Sequence, residues 1–358
     1  MKAPNKFRRI VFQQGLSFIS AIALALILGF AMLWLNGSAP ADVLTAAGSS
    51  TFASPFRFAN MISRMLTIVL VSLAAAIPFK AGVWNIGGDG QLAMGGLLTA
   101  LVGVYVTGLP PVLHVSLAIL AGMIGGAFWA AIPAYVRLKF KANEIVTTIM
   151  MNYLATLVTS YLVNYPFHAA GSSNAETSLV ADSAVLAQMV PLSNLSTGLY
   201  IVIAAFILIC FLDWKTSWGY EWKVLGANDE FARYGGVKDN QMRFLSMLIG
   251  GGLAGLAGGI LVLGSYHKFI LNLGGGIGFT GVLIAIIAAN SPILILIVSA
   301  IFAILSNSTV GLEARLGVAT EFSSILQGVI ILLVITRANI WSGISKIFTH
   351  RNQYGKLG

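Results

Sequence analysis

The chain alternates long apolar runs with short polar breaks, and this pattern predicts its secondary structure. Ten apolar segments lie near residues 16–35, 61–79, 90–108, 112–136, 146–166, 198–213, 243–265, 277–290, 292–306 and 321–336. A helix that crosses the hydrocarbon core of a bilayer needs about 20 apolar residues. The pattern therefore predicts an all-α polytopic membrane protein of about ten transmembrane helices. The eighth and ninth segments are short, so we expect tilted, broken or partly re-entrant helices there.

Composition supports a membrane protein and excludes several other classes. Hydrophobic residues make up 57% of the 358 positions and charged residues only 9%, against about 25% charged in soluble domains. The net charge of +9 is scattered between apolar segments, which argues against nucleic-acid binding. The single cysteine, the dispersed histidines and the lack of a P-loop or a nucleophile–base motif predict no metal, no cofactor and no catalytic residue in this chain.

The basic residues predict the orientation of the helices. If both termini are cytoplasmic, 17 of the 21 Lys and Arg residues fall on the inner side, as the positive-inside rule requires. The long loop 167–197 is then external. The segment 16–35 follows a basic N-terminus like a signal peptide, but its length suits a retained span.

A polar break, residues 80–91, separates the second and third apolar segments. It holds an Asn, an Asp, a Gln and a Trp among flexible glycines, and a Phe directly precedes it. These groups suit a hydrophilic path, in which aromatic faces stack on a sugar or a base. They suit an interfacial turn equally well, with the lysine reaching the headgroups. The pathway candidates in this first break are Phe79, Trp84, Asn85, Asp89 and Gln91.

A second break, residues 268–279, is weakly similar in sequence to the first. Asn-Ile-Gly-Gly at 85–88 corresponds to Asn-Leu-Gly-Gly at 272–275, each between the second and third span of its half. Halves of about 16–166 and 198–336, with five spans each, predict an inverted repeat with broken helices near the pathway. Asn272 and Phe279 are the pathway candidates of this break. Chance similarity among 39 glycines is the alternative.

The inner loop 215–243 contains a short amphipathic pattern. Asn or Asp caps at 228–229, aromatic residues at helical spacing and a closing Gly-Gly pair predict one brief helix. Such a helix is either a docking element or a surface helix in the headgroup plane. The candidate residues are Gly226, Asn228, Phe231, Ala232, Arg233, Tyr234, Gly235 and Gly236. Earlier in the chain, Glu144 is expected to cap the helix of the fifth span.

Together these segments resemble the permeases of ABC importers of the branched-chain amino acid and simple-sugar family. They are most similar to nucleoside permeases that work with basic-membrane-protein-type lipoproteins. The resemblance covers about residues 60–336, although Trp84 stands where Phe is usual and Thr280 where Asp is common. It is carried by Trp84 to Gln91, Asn143-Glu144, Met151-Asn152-Tyr153, Gly226 to Gly236, Gly278-Phe279 and Asn290-Ser291-Pro292.

The resemblance implies a transport subunit of a prokaryotic inner membrane rather than an enzyme. Its expected partners are a second permease, identical or a paralogue, a cytoplasmic P-loop ATPase that binds ATP and Mg²⁺, and an external substrate-binding lipoprotein. The loop 226–237 would couple to the ATPase, and the two breaks would flank the path. The expected division is an N-terminal region 1–60, a permease domain 61–336 and a cytoplasmic tail 337–358.

Nucleosides are the substrate that the resemblance implies, and simple sugars are the alternative. An ion-coupled secondary transporter is the remaining rival, since it also uses inverted repeats and broken helices. That mechanism normally needs acidic ligands in the membrane, for which only Asp89 and Glu321 are candidates. We therefore interpret Asp89 as a local hydrogen-bonding or capping group.

Overall fold

The computed structural model describes residues 40–316, which are helical apart from turns, loops and two isolated β-bridges. A single 3-10 turn covers Asp182–Ala184, and a π-helical turn, Val262–Tyr266, continues α9. The helices are α1 (Pro40–Phe52), α2 (Pro55–Lys80), α3 (Gly88–Tyr105), α4 (Pro111–Phe140), α5 (Glu144–Asn164), α6 (Gly198–Lys215), α7 (Ser217–Ala227), α8 (Asp229–Tyr234), α9 (Asp239–Leu261), α10 (Ile277–Ile287) and α11 (Pro292–Leu316).

These helices confirm the all-α prediction, and five of them are long and apolar enough to cross a membrane: α2, α4, α5, α6 and α9 with its π-turn. The predicted segments 16–35 and 321–336 lie outside the described residues, so the ten-span inverted repeat stays a prediction. Helix α10 is short, as expected, with 11 residues. Helix α11 continues to Leu316 and is longer than its predicted segment.

The described residues divide between two compact units. One unit includes residues 40–53 and 304–316, and within it the Asn307 side chain donates a hydrogen bond to the Ser50 carbonyl at 3.0 Å. The other unit comprises residues 54–303 and contains helices α2 to α10. Every site discussed below lies in this larger unit.

Helices α2 and α9 form the centre of the larger unit. Most of the apolar window of each is buried, 72% for α2 and 89% for α9, whereas only 22% is buried for α5 and for α6. Apolar side chains on those two outer helices therefore face away from the protein, where lipid replaces water. Helices α3 and α4 pack against α9 and also contact α5, and α10 packs against α2 and α3.

Glycines allow α3, α4 and α9 to cross with their backbones in contact. A Cβ atom on Gly95 of α3 would lie 2.3 Å from the Cα of Gly255 on α9, and one on Gly126 of α4 would lie 2.2 Å from the Gly251 carbonyl oxygen. Small residues at helix crossings are typical of membrane bundles, because dispersion contacts replace the hydrophobic effect there. This packing brings the start of α3 into the interior.

The two ends of the larger unit differ in chemistry. At one end, here called the basic end, α2, α4, α7 and α9 place Lys80, Arg137, Lys223 and Arg243 near one another. At the opposite end, here called the loop end, residues 166–197 pair with the segment after α9. Four of the residues that the sequence assigns to the inner side therefore lie at one end of the unit, and which side of the membrane that end faces stays a prediction.

Backbone hydrogen bonds attach the long loop to the second break. Thr177 N donates to Phe269 O at 3.0 Å, and Leu271 N donates to Ala175 O at 3.1 Å. Lys268 and Glu176 form an ion pair of 2.7 Å beside these bonds. Because Lys268 and Ser172 both donate to the Glu176 carboxylate, they hold its pKa below the usual value. The loop therefore fixes the first residues of the second break.

Candidate functional site

The first break is closed by a pair of buried amides. Asn85 Nδ2 donates to Gln91 Oε1 at 3.1 Å, and Gln91 Nε2 donates to Asn85 Oδ1 at 2.9 Å. Asn85 Oδ1 also accepts from Gly87 N at 3.1 Å. Both amide side chains are only 1% exposed. Asn85 and Gln91 thus face the protein interior here, and neither lines the cavity described below.

Helix α5 holds the same break from its other side. Asn152 Oδ1 accepts from Gly90 N at 2.8 Å, while its Nδ2 donates to Ile86 O at 2.9 Å. One turn earlier, Thr148 Oγ1 accepts from Ile86 N at 3.2 Å. No role for Asn152 or Thr148 was predicted from the sequence. Their i, i+4 spacing within an apolar span was the available signal, because it places both on one helix face.

Asp89 joins the two breaks directly. It lies in the first turn of α3, and its carboxylate oxygens accept from Gly278 N at 2.8 Å and from Phe279 N at 3.3 Å. These amides belong to the first turn of α10 and have no partner within their own helix. Asp89 therefore caps α10 from another helix, which fits its interpretation as a capping group.

The N-termini of α3 and α10 meet at two glycines. A Cβ atom on Gly278 would lie 2.3 Å from the backbone nitrogen of Asp89. From this junction, α3 runs towards the loop end, where Gly103 O accepts from Ala181 N. Helix α10 runs the opposite way, and the residues after it line a pocket with Lys80 at the basic end. Helix N-termini that meet inside the bundle, with the helices running in opposite directions, are the arrangement found at transporter substrate sites.

A cavity of about 400 Å³ lies at this junction. That volume falls within the range of about 300–1,000 Å³ that is usual for small-molecule sites. Three predicted pathway residues, Asp89, Asn272 and Phe279, line it, and α5 contributes the other wall. Among the residues that the structure describes, no Lys or Arg lines this cavity. The remaining lining residues are Ala93, Ile149, Asn152, Tyr153, Thr156, Thr159, Leu273, Gly274, Gly275 and Gly276.

The other two predicted pathway residues lie towards the basic end. The rings of Phe79 and Trp84 pack with their centroids 4.7 Å apart. Phe79 lines a second pocket of about 520 Å³ with Lys80 and Asp213, and Trp84 is 45% exposed. The structure thus separates the seven candidates into a cavity set, a buried amide pair and an aromatic pair.

The inner loop contains the predicted short helix, α8, together with a second helix, α7, that the sequence did not predict. Asn228 caps α8 by accepting from Phe231 N at 3.0 Å, and Gly235 ends the helix. Ala232 is fully buried, whereas Phe231 is 62% and Tyr234 is 93% exposed. Two large aromatic side chains therefore project from the basic end.

The predicted cap of α5 is displaced by one residue. Asn143, not Glu144, accepts from the backbone amides of Ile145 and Val146. Glu144 lies in the first turn and pairs with Arg137 at 3.3 Å. The expectation that Glu144 is the capping residue is wrong, because the shorter amide side chain of Asn143 reaches the free N–H groups at the Ncap position. Glu144 still places a negative charge near the helix N-terminus.

The described part of the chain, residues 40–316, contains no cluster of three or more His, Cys, Asp or Glu side chains able to hold a metal ion. The acidic residues of the site are instead engaged by backbone amides or basic side chains, as Asp89 and Asp213 show.

Curated relatives match nearly the whole chain. The glucose ABC transporter permease protein TsgB13 of Haloferax volcanii is 31% identical, covering 90% of this chain and 87% of its own length. The guanosine ABC transporter permease protein NupP of Bacillus subtilis is 28% identical, with 88% and 91% covered. The nucleoside ABC transporter permease protein NupB of Lactococcus lactis is 26% identical, with 93% and 92% covered.

The family described as "Branched-chain amino acid transport system / permease component" matches residues 57–335. This range includes both breaks, the cavity and the inner loop. Members of such a family are transport subunits of multi-pass membrane character rather than enzymes. The chain therefore belongs to the branched-chain amino acid transport system permease family and is a permease component of an ABC transporter.

Proposed function

We propose that this chain forms the translocation path for nucleosides in an ATP-driven importer. The observation that carries the proposal is the cavity at the junction of α3, α5 and α10, which combines neutral polar groups with aromatic rings. Amide and hydroxyl groups match the ribose hydroxyls and base edges of a nucleoside. The names of two relatives, a guanosine and a nucleoside permease, support the same substrate class.

The charge at the junction favours a neutral solute. The N-termini of α3 and α10 carry partial positive charge, which by itself attracts anions. The Asp89 carboxylate already occupies the free amides of α10, and the described lining adds no cation. A free carboxylate or phosphate on the solute would lack a counter-charge and would be repelled by Asp89. A nucleoside carries neither group.

A simple sugar is the second candidate, because the relative from Haloferax volcanii is named a glucose permease. Both solutes present hydroxyl groups, so the polar lining does not separate them. The aromatic lining does, since Phe279 is 48% and Tyr153 is 71% exposed. A flat base stacks on such rings with more contact area than a pyranose. The aromatic lining favours the nucleoside.

The engagement of Asp89 argues against the ion-coupled alternative. A coupling carboxylate must exchange protons or ions with the pathway as the transporter cycles. Both oxygens of Asp89 accept backbone hydrogen bonds from α10, so protonation would remove a helix cap. We infer that Asp89 holds the junction together.

The proposed partners are a cytoplasmic P-loop ATPase with ATP and Mg²⁺, a second permease chain and an external substrate-binding lipoprotein. Helix α8 supplies the proposed ATPase contact, because Phe231 and Tyr234 are exposed while Ala232 anchors the helix. Exposed aromatic side chains flanked by charge are typical of interface anchors. We place the basic end in the cytoplasm of a prokaryotic cell, with both termini on that side.

Uptake of tritiated guanosine into proteoliposomes that contain the full transporter tests the proposal. Wild-type uptake should require ATP and should be inhibited by excess adenosine but not by excess glucose. Phe279→Ala should raise the KM between twofold and about tenfold, because a stacked aromatic contact contributes about 0.5–1.5 kcal/mol. Phe128→Ala is the matched control, since Phe128 is 63% exposed on α4 and does not line the cavity.

Inhibition by glucose without inhibition by adenosine would replace the nucleoside assignment with the sugar one. ATP-independent uptake that follows an imposed ion gradient would contradict the importer mechanism. An unchanged KM in Phe279→Ala would show that the cavity does not belong to the translocation path.

A further inference from the structure

The inner loop and the first break touch through their backbones. A Cβ atom on Gly226 would lie 2.2 Å from the Lys80 carbonyl oxygen. Lys80 is the last residue of α2, and Gly226 belongs to the last turn of α7. The first residue of the segment 226–236 is therefore in contact with the residue at which the chain leaves α2 for the first break.

An ion-pair cluster fastens the same point to α6 and α7. Lys80 Nζ lies 2.7 Å from Asp213 Oδ1, and Lys223 Nζ lies 3.3 Å from the same oxygen. Lys223 also donates to the Asp213 carbonyl at 2.7 Å. Asp213 is 6% exposed, so water screens this cluster weakly. The cluster ties the end of α2 to the start of the inner loop and does not reach α8.

Arg243 makes the connection to α8. Its Nε donates to the Ala81 carbonyl at 3.3 Å, and its Nη2 donates to the Asp229 carboxylate in the first turn of α8. The Arg243 side chain is 11% exposed, against 47% for Asp229. A guanidinium holds two acceptors in a fixed planar fork, which a lysine ammonium does not reproduce.

The other arginine of the loop has a different, local function. Arg233 pairs with Asp239 at 2.8 Å, which joins α8 to the start of α9. Neither partner of that ion pair belongs to the first break. Arg243 alone, among the described arginines, bridges α8 and the break.

The chain beyond Ala81 is tightly ordered as far as the cavity. Val83 packs with Ala134 and Met247, both buried in the bundle. The amide pair Asn85 and Gln91 then closes the turn that presents Asp89. A displacement of Ala81 therefore moves a short, hydrogen-bonded segment rather than a loose loop.

We propose that Arg243 is a positioning residue that transmits the movement of α8 to the first break, through its two hydrogen bonds to Asp229 and Ala81. The proposal rests on the proposed function, because it takes α8 as the element that an ATPase moves. Without Arg243, ATP hydrolysis continues but the cavity wall no longer follows α8.

The first test measures ATP hydrolysis and nucleoside uptake in the same proteoliposomes, with all subunits present. Arg243→Ala should retain hydrolysis within about twofold and reduce uptake per ATP by about tenfold or more, the effect expected for a lost charged hydrogen bond. Arg243→Lys should restore uptake only in part. Asp229→Ala, at a more exposed position, removes the α8 bond and leaves the Ala81 bond in place. Lys238→Ala, adjacent to α9, is the charge-matched control and should resemble wild type.

A second test needs no solute. In a Cys210→Ser background, spin labels at Trp84→Cys and Glu230→Cys report the distance between the first break and α8. The wild-type arrangement should give one narrow distribution with and without ATP, because the two elements move together. Arg243→Ala should give a broad distribution, or a distance that changes with ATP.

The outcomes separate the two proposals. If the wild type hydrolyses ATP but takes up no nucleoside, the proposed function fails. The distance measurement still tests whether Arg243 transmits the movement of α8 to the first break. If Arg243→Ala lowers hydrolysis and uptake in proportion, or leaves the uptake per ATP unchanged, Arg243 does not transmit movement. Identical distance distributions in wild type and Arg243→Ala would overturn the proposal directly.

Discussion

The two breaks share a sequence pattern but differ in how the protein holds them. In the first break Asn85 is 1% exposed and pairs with Gln91, while α5 binds the backbone on the other side. In the second break the corresponding Asn272 is exposed, lines the cavity and has a φ of 60°. The first break is thus a hydrogen-bonded lock, and the second is an open turn.

The difference shows where the second break obtains its order. Gly275 and Gly276 also adopt positive φ, and the described turn carries no amide pair like that of the first break. Its two ends are held instead, by Asp89 on one side and by the long loop on the other. Between these ends the turn has its own backbone hydrogen bonds, Gly275 N to Asn272 O at 2.9 Å and Ile277 N to Gly274 O at 3.1 Å, and a buried Leu273. A turn without a side-chain hydrogen-bond pair can still change shape more readily than one that has it. We therefore expect the second break to be the more mobile wall of the cavity.

The largest effect is expected where the two breaks meet. Gly278→Ala places a Cβ atom 2.3 Å from the Asp89 backbone nitrogen, so α3 and α10 must separate. Overpacking of this kind costs about 1–3 kcal/mol, and uptake should fall to background. Thermal unfolding of the purified complex in detergent measures the stability change.

Gly252→Ala is the matched control for that variant. Its Cβ atom would meet the Met123 carbonyl at 3.7 Å, an ordinary contact. Equal stability of the two variants would show that the half-helices are not in close contact at Gly278.

A smaller effect should distinguish the two asparagines. Asn85→Ala leaves the buried Gln91 amide without its partner, which costs about 1–3 kcal/mol. Asn272→Gly removes an exposed side chain and keeps a residue that accepts the φ of 60° at this position, so stability should change by less than about 0.5 kcal/mol while the KM for uptake rises. Unfolding midpoints and uptake kinetics of both variants give the comparison.

The reverse result, a stability loss confined to Asn272→Gly, would contradict the assignment of lock and open turn. Loss of the ATPase from the purified Asn85→Ala complex would show that the lock also supports the cytoplasmic interface.

The smallest effect concerns the attachment of the second break to the long loop. Since Lys268 and Ser172 lower the pKa of Glu176, the folded protein binds this proton less readily than the unfolded chain. The stabilisation is therefore complete above the ordinary carboxyl pKa and is lost as the pH falls through the lowered value. The Lys268 side chain is 31% exposed, so water partly screens the pair, and its contribution is on the order of 1 kcal/mol.

Glu176→Gln should lower stability slightly at neutral pH and flatten its dependence on pH in the acidic range. Unfolding midpoints measured from neutral to acidic pH check this. Glu230→Gln, at an exposed position on α8, is the control. A parallel shift of wild type and Glu176→Gln at every pH would show that this carboxylate does not contribute.

Apolar spacing by itself determined most of the helices. Transmembrane helices satisfy their own backbone hydrogen bonds, so length and hydropathy locate them without knowledge of their neighbours. The inner-loop helix was also predictable, because Asn228 and Gly235 act on adjacent residues. Local capping rules place such ends within a residue, as the shift from Glu144 to Asn143 illustrates.

Only the tertiary structure decided which polar side chains face the cavity. Asn85 and Asn272 occupy equivalent places in the sequence pattern, yet one is buried against Gln91 and the other lines the cavity. Residues as far apart as Asp89 and Gly278, or Arg243 and Ala81, meet only when the helices pack. Sequence periodicity reports which residues share a helix face, whereas partners across the bundle depend on helix crossings that no local pattern encodes.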